Sequence, residues 1–169
     1  MAGWYAIVDG AADPRLYPVV SKSAKYACLY EDDYDEDTLA ALPYLVELTE
    51  GEQLPDLWRK HESGRFWGIV CQSSLDLPAL RRHMRKFTTA RLPLGEVVLF
   101  RFWDPRVFVT FAEDGTEDEV APFFEKIDVV IADLGPDGRR RYHWDGGIQS
   151  SFAQPKTQTA KAPAPEAQS

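Results

Sequence analysis

The chain has 169 residues, enough for one domain with a sizeable core, because chains of this size bury about 70% of their unfolded surface. Hydrophobic residues make up 44% and aromatic residues 12% of the chain, which is a globular composition. The net charge of −8 disfavours nonspecific binding to nucleic acids and to anionic membranes. We therefore expect no nucleic-acid partner and no membrane insertion.

The ends of the chain and its cysteines suggest a cytoplasmic protein. Met1 to Gly10 lacks the basic start and the long apolar stretch of a signal peptide. No run approaches the roughly 18 apolar residues of a membrane span. Cys28 and Cys71 lie in apolar, strand-like contexts, which favours buried, reduced thiols over a disulfide.

Strand and helix signals alternate along the chain, and four or more strands interleaved with helices predict a single α/β domain with a mixed sheet. We place this domain at residues 1–148. The first half of the chain predicts a strand at 4–8, a short helix at 13–21, a strand at 26–30, an apolar stretch at 42–48 that fits either a helix or a strand, and a helix at 54–61. The second half predicts a strand at 66–71, a helix capped by Asp76, a strand around Leu99 and a helix that begins with a Thr116/Glu119 capping box. A hairpin of residues 128–134 and 139–144 follows.

The composition changes at about Gln149. The last stretch consists mainly of Ser, Gln, Ala, Pro, Thr and Lys, with Phe152 as its only large apolar residue. Such a segment buries too little surface to offset its loss of conformational entropy. We therefore predict a disordered tail over residues 149–169.

The segment from Val97 to Arg106 carries an unusual combination of residues. The unbroken apolar run 97–100 continues through Arg101 to Phe102 and predicts a strand buried on both faces. An arginine inside such a strand needs a charged partner. Asp104 and Pro105 together are typical of a helix start.

Asp9, at the end of the first predicted strand, is the candidate partner for Arg101. We expect Asp9, Arg101, Asp104 and Arg106 to form a structural cluster. The alternative is an enzyme site in which two carboxylates and two arginines bind a phosphate or carry out acid–base chemistry. The sequence near the cluster contains no histidine or activated nucleophile, which favours the structural interpretation.

Other groups with chemical potential do not form recognisable sites. The acidic loop 31–37 fails the calcium-loop pattern, because Thr38 and Tyr44 stand where that pattern needs Gly and Glu. A solvated loop or a partner-facing patch fits it better. His61, His83 and His143 show no metal-ligand spacing, so we expect no metal site and no cofactor.

Two basic clusters have alternative interpretations. Arg81, Arg82, Arg85 and Lys86 lie mostly away from the apolar stripe of their predicted helix. They form either a solvated face or a docking surface for an acidic partner. The arginines at 139–141 fit an edge strand, where charge prevents pairing with another sheet.

Six short motifs follow one another along the chain. They are YAIVDG at 5–10, LY at 29–30, LPYLV at 42–46, FWGI at 66–69, LRRHMR at 80–85 and LFRFWDPRV at 99–107. In this order they resemble the type VI secretion effector chaperones, also called adaptors, a family long catalogued as a domain of unknown function. The resemblance covers roughly residues 4 to 112, and the region after Glu113 does not match it.

The resemblance implies a cytoplasmic, non-enzymatic protein of Gram-negative bacteria, without cofactors, that binds a toxic effector and helps load it onto the VgrG spike. The partner would be an apolar or helical segment of the effector. The residues expected to define the scaffold are Asp9, Trp67, Gly68, Arg101, Asp104, Pro105 and Arg106. Two alternatives remain open: an immunity-type or regulatory acidic binder that uses the 31–37 loop, and the small-molecule enzyme.

An adaptor needs a surface that holds its cargo and releases it. The candidates for this contact surface are Trp58, Arg82, Arg85, Lys86, Phe108 and Phe123. We expect the unloaded protein to expose a contiguous apolar patch larger than the few hundred Å² usual for monomers.

Overall fold

The computed structural model describes residues 1–61 and 63–153. The strands are β1 (Gly3–Asp9), β2 (Tyr26–Cys28), β3 (Pro43–Glu47), β4 (Gly68–Ser73), β5 (Thr89–Arg91), β6 (Val97–Leu99), β7 (Val129–Asp133), β8 (Arg139–Trp144) and β9 (Ile148–Ala153). The helices are α1 (Leu16–Val20), α2 (Glu36–Leu39), α3 (Gln53–His61), α4 (Leu77–Arg85), α5 (Pro105–Asp114) and α6 (Glu117–Phe124). Within these ranges no helix is long and apolar enough to cross a membrane.

Seven of these strands form one sheet in the order β2-β3-β1-β4-β7-β8-β9. The single α/β domain with interleaved helices is therefore confirmed. The predicted mixed sheet is wrong, because each pair of neighbouring strands is antiparallel. Hydrophobic runs indicate where strands lie, but strand direction depends on long connections that no local pattern encodes. The stretch at 42–48, which fitted either type, is strand β3.

The core lies on both faces of the sheet because side chains alternate along each strand. In β1, Tyr5 and Ile7 join a cluster with α4, α5 and α6, whereas Ala6 and Val8 join a second cluster with α1 and α3. The molecule thus has three layers, helices on each side of a sheet. On β8 and β9 the second face carries polar residues such as Arg141 and Ser151, both exposed, as antiparallel sheets allow.

The predicted helix starts are confirmed by their caps. The Asp76 carboxylate accepts a hydrogen bond from the Ala79 amide at 3.0 Å at the start of α4. Asp104 does the same for the amide of Arg106 at 2.9 Å at the start of α5. Thr116 and Glu119 form the predicted capping box of α6. Each cap satisfies amides that the first helical turn leaves without partners.

The predicted central strand at 97–102 is wrong. Its residues 97–99 form β6, which pairs only with β5 in a separate two-stranded hairpin. Val97 and Leu99 are exposed, and Arg101 lies beyond the strand with half of its side chain in solvent. In the main sheet β4 pairs directly with β7, so no central position remains for this segment.

Two predictions for the end of the domain also need correction. Gln149 to Ala153 belong to β9, which pairs with β8 over six positions, so the ordered chain extends past the predicted boundary at 148. Residues 154–169 of the predicted tail lie outside the described residues. Since β8 is flanked on both sides, its arginines do not protect an edge; Arg139 pairs with Asp133 and Arg140 with Glu113.

Candidate functional site

The end of β1 holds a buried carboxylate paired with an arginine. Asp9 accepts a hydrogen bond from the Ala11 amide at 3.1 Å and an ionic hydrogen bond from Arg101. The Asp9 side chain is 6% exposed, whereas that of Arg101 is 51% exposed. The pair proposed from the sequence is therefore present, but the buried partner is the aspartate.

A second pair lies at the start of α5. Arg106 binds both carboxylate oxygens of Asp104, through Nε at 3.0 Å and Nη2 at 2.8 Å. Burial raises the pKa of Asp104, but the hydrogen bonds from Arg106 outweigh it, so that the pKa is lower than usual. The guanidinium of Arg106 also lies 4.3 Å from the ring centroid of Phe66, which has a positive φ of 54°, an uncommon conformation for an aromatic residue.

Next to Phe66, Trp67 connects this corner to the second core cluster. Its ring is buried and packs edge-on against Trp58, with centroids 6.1 Å apart. The guanidinium groups of Arg15 and Arg65 lie over the Trp67 ring at 5.6 and 5.8 Å, within cation–π range.

The two glycines of this corner are required by close backbone approach. A Cβ on Gly68 would lie 1.9 Å from the carbonyl oxygen of Ile7, and one on Gly10 would lie 2.5 Å from that of Ala40. Both distances are far below van der Waals contact, so neither position accepts a side chain without a shift of the backbone.

The corner is suited to structure rather than to binding an anion. Three of the four arginines at the corner, Arg15, Arg101 and Arg106, each carry a carboxylate partner, which is Asp13, Asp9 and Asp104 respectively. An anionic ligand would have to displace those carboxylates, at a cost that rises with their burial.

Three aromatic residues predicted to contact a partner are core residues instead. Trp58, Phe108 and Phe123 are all buried, and Phe108 and Phe123 pack together with ring centroids 5.5 Å apart. The predictions are wrong because a sequence reports an aromatic residue without showing whether the fold covers it. Two other aromatic residues, Phe111 and Trp144, are half-buried and reach solvent.

The basic residues of α4 have mixed roles. Arg85 pairs with Glu31 of the acidic loop, and the Nε of Arg81 donates to the carbonyl of Cys28 at 2.7 Å. Both side chains therefore tie α4 to the β2 side of the molecule. Arg82 and Lys86 are exposed.

A groove of about 820 Å³ lies between α5 and the β5–β6 hairpin. Its α5 wall is formed by Val107, Thr110, Phe111 and Asp114, which stand at i, i+3, i+4 and i+7 and so share one helix face. Across the groove lies β5. On this face of α5, Thr110 and Asp114 are exposed and Val107 and Phe111 are half-buried.

The groove is apolar at its base and charged at its ends. The half-buried rings of Phe87, Phe100 and Phe111 line it, and those of Phe100 and Phe111 pack 5.1 Å apart. Arg106 lies at the N-terminal end of α5, and Asp114 with Glu119 of α6 at the other. At 1.5 Å per helical residue these ends are about 12 Å apart.

The hairpin that borders the groove exposes a cluster of large apolar residues. Leu92, Leu94, Val97 and Leu99 are between 42% and 100% exposed. A smaller cavity of about 430 Å³, lined partly by Leu99 and Tyr30, lies on another side of the hairpin. Clustered apolar exposure of this kind marks interaction surfaces more often than scattered residues do.

The remaining reactive groups lie in the core. Cys71 is buried, and burial raises the pKa of its thiol, which keeps it protonated and unreactive. His83 is also buried, with Nε2 2.8 Å from the carbonyl of Phe123. Among residues 1–61 and 63–153, no group of three or more His, Cys, Asp or Glu side chains is placed to hold a metal ion.

Comparison with protein families assigns the larger part of the chain to one family. Residues 4–121 match the family model described as domain of unknown function DUF4123. The chain belongs to this family. Comparisons with curated proteins and with solved structures found no significant match. The DUF4123 match runs from β1 into α6, so that it contains both the Asp9–Arg101 corner and the residues that line the groove, while β7, β8 and β9 lie beyond it.

Sequence reasoning missed the groove and the hairpin. The sequence did contain a signal at residues 92–95, where two leucines alternate with Pro93 and Gly95, which are residues that favour turns. Turns lie at the surface, so apolar residues within one are exposed unless something covers them.

Proposed function

We propose that this protein is a non-enzymatic adaptor that binds a type VI secretion effector in the cytoplasm and helps load it onto the VgrG spike. The observation that carries this proposal is the DUF4123 match over residues 4–121, which contains all six motifs that resemble the effector chaperones. The family description itself gives no function, so the adaptor role is our inference from those motifs.

The surface features of the DUF4123 region support binding of a protein. The groove along α5 is open and lined by aromatic rings, and the adjoining hairpin exposes four large apolar side chains. A cargo protein that covers these residues would remove apolar surface from water, which is the main favourable contribution in most protein associations.

The same region gives less support to the enzyme alternative. The carboxylates and arginines of the Asp9–Arg101 corner are already paired with one another. Cys71 and His83 face the core rather than a cleft. A catalytic group must reach its substrate within hydrogen-bond distance, which burial opposes for Cys71 and His83. Asp104 and Arg106 do line the groove, but as an ion pair with each other.

The immunity-type alternative depends on the acidic loop 31–37. Part of that loop is already engaged, because Glu31 pairs with Arg85 and Asp35 caps α2 through the Thr38 amide at 2.7 Å. Asp32, Asp33 and Asp37 remain exposed. They are available to a basic partner, and the loop therefore provides the test that separates the two binding hypotheses.

The proposal is tested by affinity purification of the tagged protein from its native host at native expression, read by mass spectrometry. We expect one large secreted toxin to co-purify, with or without a spike protein, and we expect deletion of the gene to stop secretion of that toxin alone. Recovery of the protein without any secreted partner at low salt would contradict the adaptor role and favour a search for a small-molecule ligand.

A further inference from the structure

We infer that the groove between α5 and the β5–β6 hairpin takes an amphipathic helix of the secreted effector, with a lysine or arginine at the end that meets Asp114 and Glu119. The inference rests on the proposed function, and it adds the place and the chemistry of the contact. Three observations carry it: the spacing of the α5 wall, the apolar base, and the charge at one end.

The shape of the α5 wall favours a helix. Val107, Thr110, Phe111 and Asp114 form ridges at the spacing with which one helix packs against another. The backbone groups of α5 bond within the helix, so this wall offers a ligand only side chains. On the α5 side a bound segment must therefore satisfy its own backbone hydrogen bonds, as a helix does. An extended strand would find backbone partners on the β5 side alone, because β5 pairs only with β6 among the described strands.

The base of the groove sets the composition of the bound face. Phe87, Phe100 and Phe111 present half-buried rings, which recognise apolar side chains. The exposed leucines of the hairpin tip extend this apolar surface beyond the groove. Residues 154–169 of the chain itself contain no large apolar residue, so this segment does not have the composition of a ligand for the groove.

The acidic end of the groove determines the charge that the bound helix must carry and the direction in which it lies. Asp114 has no ion-pair partner in the part of the chain that the structure describes, and the first turn of α6 adds Glu117, Asp118 and Glu119. At the other end, Arg106 is neutralised by Asp104. On the wall formed by α5 and α6 the groove is therefore negative at one end only. On the opposite wall Arg91 of β5 adds a positive charge and donates to the carbonyl of Gly95 at 3.3 Å. Complementary charge on the partner fixes its orientation and speeds association more than it adds affinity.

Site-specific photocross-linking tests where the effector lies. The full-length tagged protein carries p-benzoylphenylalanine in place of Thr110 in the groove or Leu94 at the hairpin tip. As controls it carries the same residue in place of Asp33 or Phe152, which are exposed and do not line the groove. After irradiation in the native host, the cross-linked peptides are sequenced by mass spectrometry.

We expect positions 110 and 94 to cross-link to one segment of the co-purifying secreted protein. That segment should have apolar residues spaced by three and four, with a lysine or arginine at one end. Cross-links to that protein from positions 33 or 152 alone would overturn the inference. So would a cross-link from 110 to a second copy of this chain, or to a segment whose apolar residues alternate as in a strand.

Two substitutions test the contact energetically. Thr110→Arg fills the mouth of the groove, and we expect it to lower effector capture about tenfold or more, as for the central residues of other interfaces. Asp114→Lys should lower capture several-fold at low salt, and the loss should shrink at about 0.5 M salt, where screening shortens the Debye length to about 4 Å. Asp33→Lys is the matched charge control.

Neither substitution is expected to unfold the protein. Thr110 is exposed on α5, and arginine has a higher helix propensity than threonine. Lysine in place of Asp114 lies in the last turn of the helix, where a positive charge is favourable. If both variants capture as much effector as the wild type, the groove inference fails while the adaptor role stands. If the wild type captures no secreted protein, the proposed function fails and the groove inference fails with it.

Discussion

The buried carboxylate of Asp9 determines the consequence of removing Arg101. Substitution Arg101→Ala leaves Asp9 without its ionic partner in a site that is almost closed to water. We expect it to lower the free energy of unfolding by about 2 kcal/mol, the usual cost of a buried charged group that loses its partner. Urea unfolding followed by circular dichroism measures this change.

Arg59→Ala is the matched control, because Arg59 pairs with the exposed carboxylates of Glu50 and Asp56. Exposed pairs contribute little to stability, so its unfolding midpoint should stay close to that of the wild type. An Arg101→Ala variant of unchanged stability that no longer binds its partner would instead place Arg101 in the contact surface.

His83 makes the stability of the protein depend on pH. Its burial lowers the pKa of the imidazole below the ordinary value of 6.5, and the positive charges of Lys86 and Lys126 lower it further. The hydrogen bond to the Phe123 carbonyl and the negative charge of Glu125 raise the pKa, but they do not outweigh the burial. At this histidine the unfolded chain therefore binds a proton more readily than the folded protein does. The contribution of His83 to the free energy of unfolding is fully present above about pH 6.5, and it is lost as the pH falls through the lower pKa of His83 in the folded protein.

The His83→Gln variant keeps a donor for the Phe123 carbonyl but does not titrate. We expect the wild type to lose more of its urea midpoint between about pH 7.5 and about pH 5.5 than this variant does. His143→Gln, at an exposed position of β8, serves as the control and should behave as the wild type. Equal losses in the wild type and His83→Gln would show that other groups cause the acid sensitivity.

The contact between β1 and β4 depends on a missing side chain. Gly68 lies opposite Val8 in the register of the two strands, and a Cβ there would clash with the Ile7 carbonyl. We expect Gly68→Ala to lower the free energy of unfolding by about 3 kcal/mol or more, because the central strands would have to separate. Thermal unfolding measures the loss.

Gly147→Ala is the matched control, since a Cβ at that position meets nothing within 4 Å. Its melting temperature should be equal to or slightly above that of the wild type, because alanine restricts the unfolded chain. Equal melting temperatures for Gly68→Ala and the wild type would mean that the strands shift to accommodate the methyl group.

The β5–β6 hairpin is expected to contribute exposed apolar surface without adding stability. Substitution of both Leu94 and Leu99 by serine should lower the fluorescence of a bound hydrophobic dye such as ANS and leave the unfolding midpoint nearly unchanged, because these residues are 100% and 68% exposed and bury little area. Phe152→Ser, at an exposed position of β9, is the control. Unchanged dye fluorescence in the double variant would place the exposed apolar surface elsewhere.

Sequence patterns predicted the local elements better than their arrangement. The caps at Asp76 and Asp104 and the β7–β8 hairpin follow from local chemistry, which a few neighbouring residues determine. The Asp9–Arg101 pair was also predicted, but the burial that requires the pairing is that of Asp9, since Arg101 is half-exposed beyond the end of β6.

The errors share one physical cause. An apolar run such as 97–100 indicates that the residues avoid water, but it does not show whether the chain itself or another molecule covers them. The same limit made Phe108 and Phe123 candidates for contact when the fold buries them. Pairing of β9 with β8 was missed because most residues of β9 are polar or exposed, while Ile148, at its start, packs against the core.

For the molecule as a whole, charge separates the two binding hypotheses. Substitution of both Asp33 and Asp37 by lysine moves the net charge from −8 to about −4 while it leaves the groove intact. We expect effector capture to stay near the wild-type level, because both residues are exposed and neither lines the groove. Immunity-type binding through the acidic loop predicts that capture is lost, and salt titration of the capture assay separates the two outcomes.

The antiparallel order of the sheet also has a consequence for synthesis of the protein. β1 pairs with β4, and β4 pairs with β7 through Val70 and Ile131, so that each of these contacts closes a loop of about 60 residues or more, a separation that slows folding. The ribosome releases the chain from its N-terminus. The centre of the sheet therefore cannot close until residue 133 has emerged, and until then the edge of β4 that pairs with β7 has no partner.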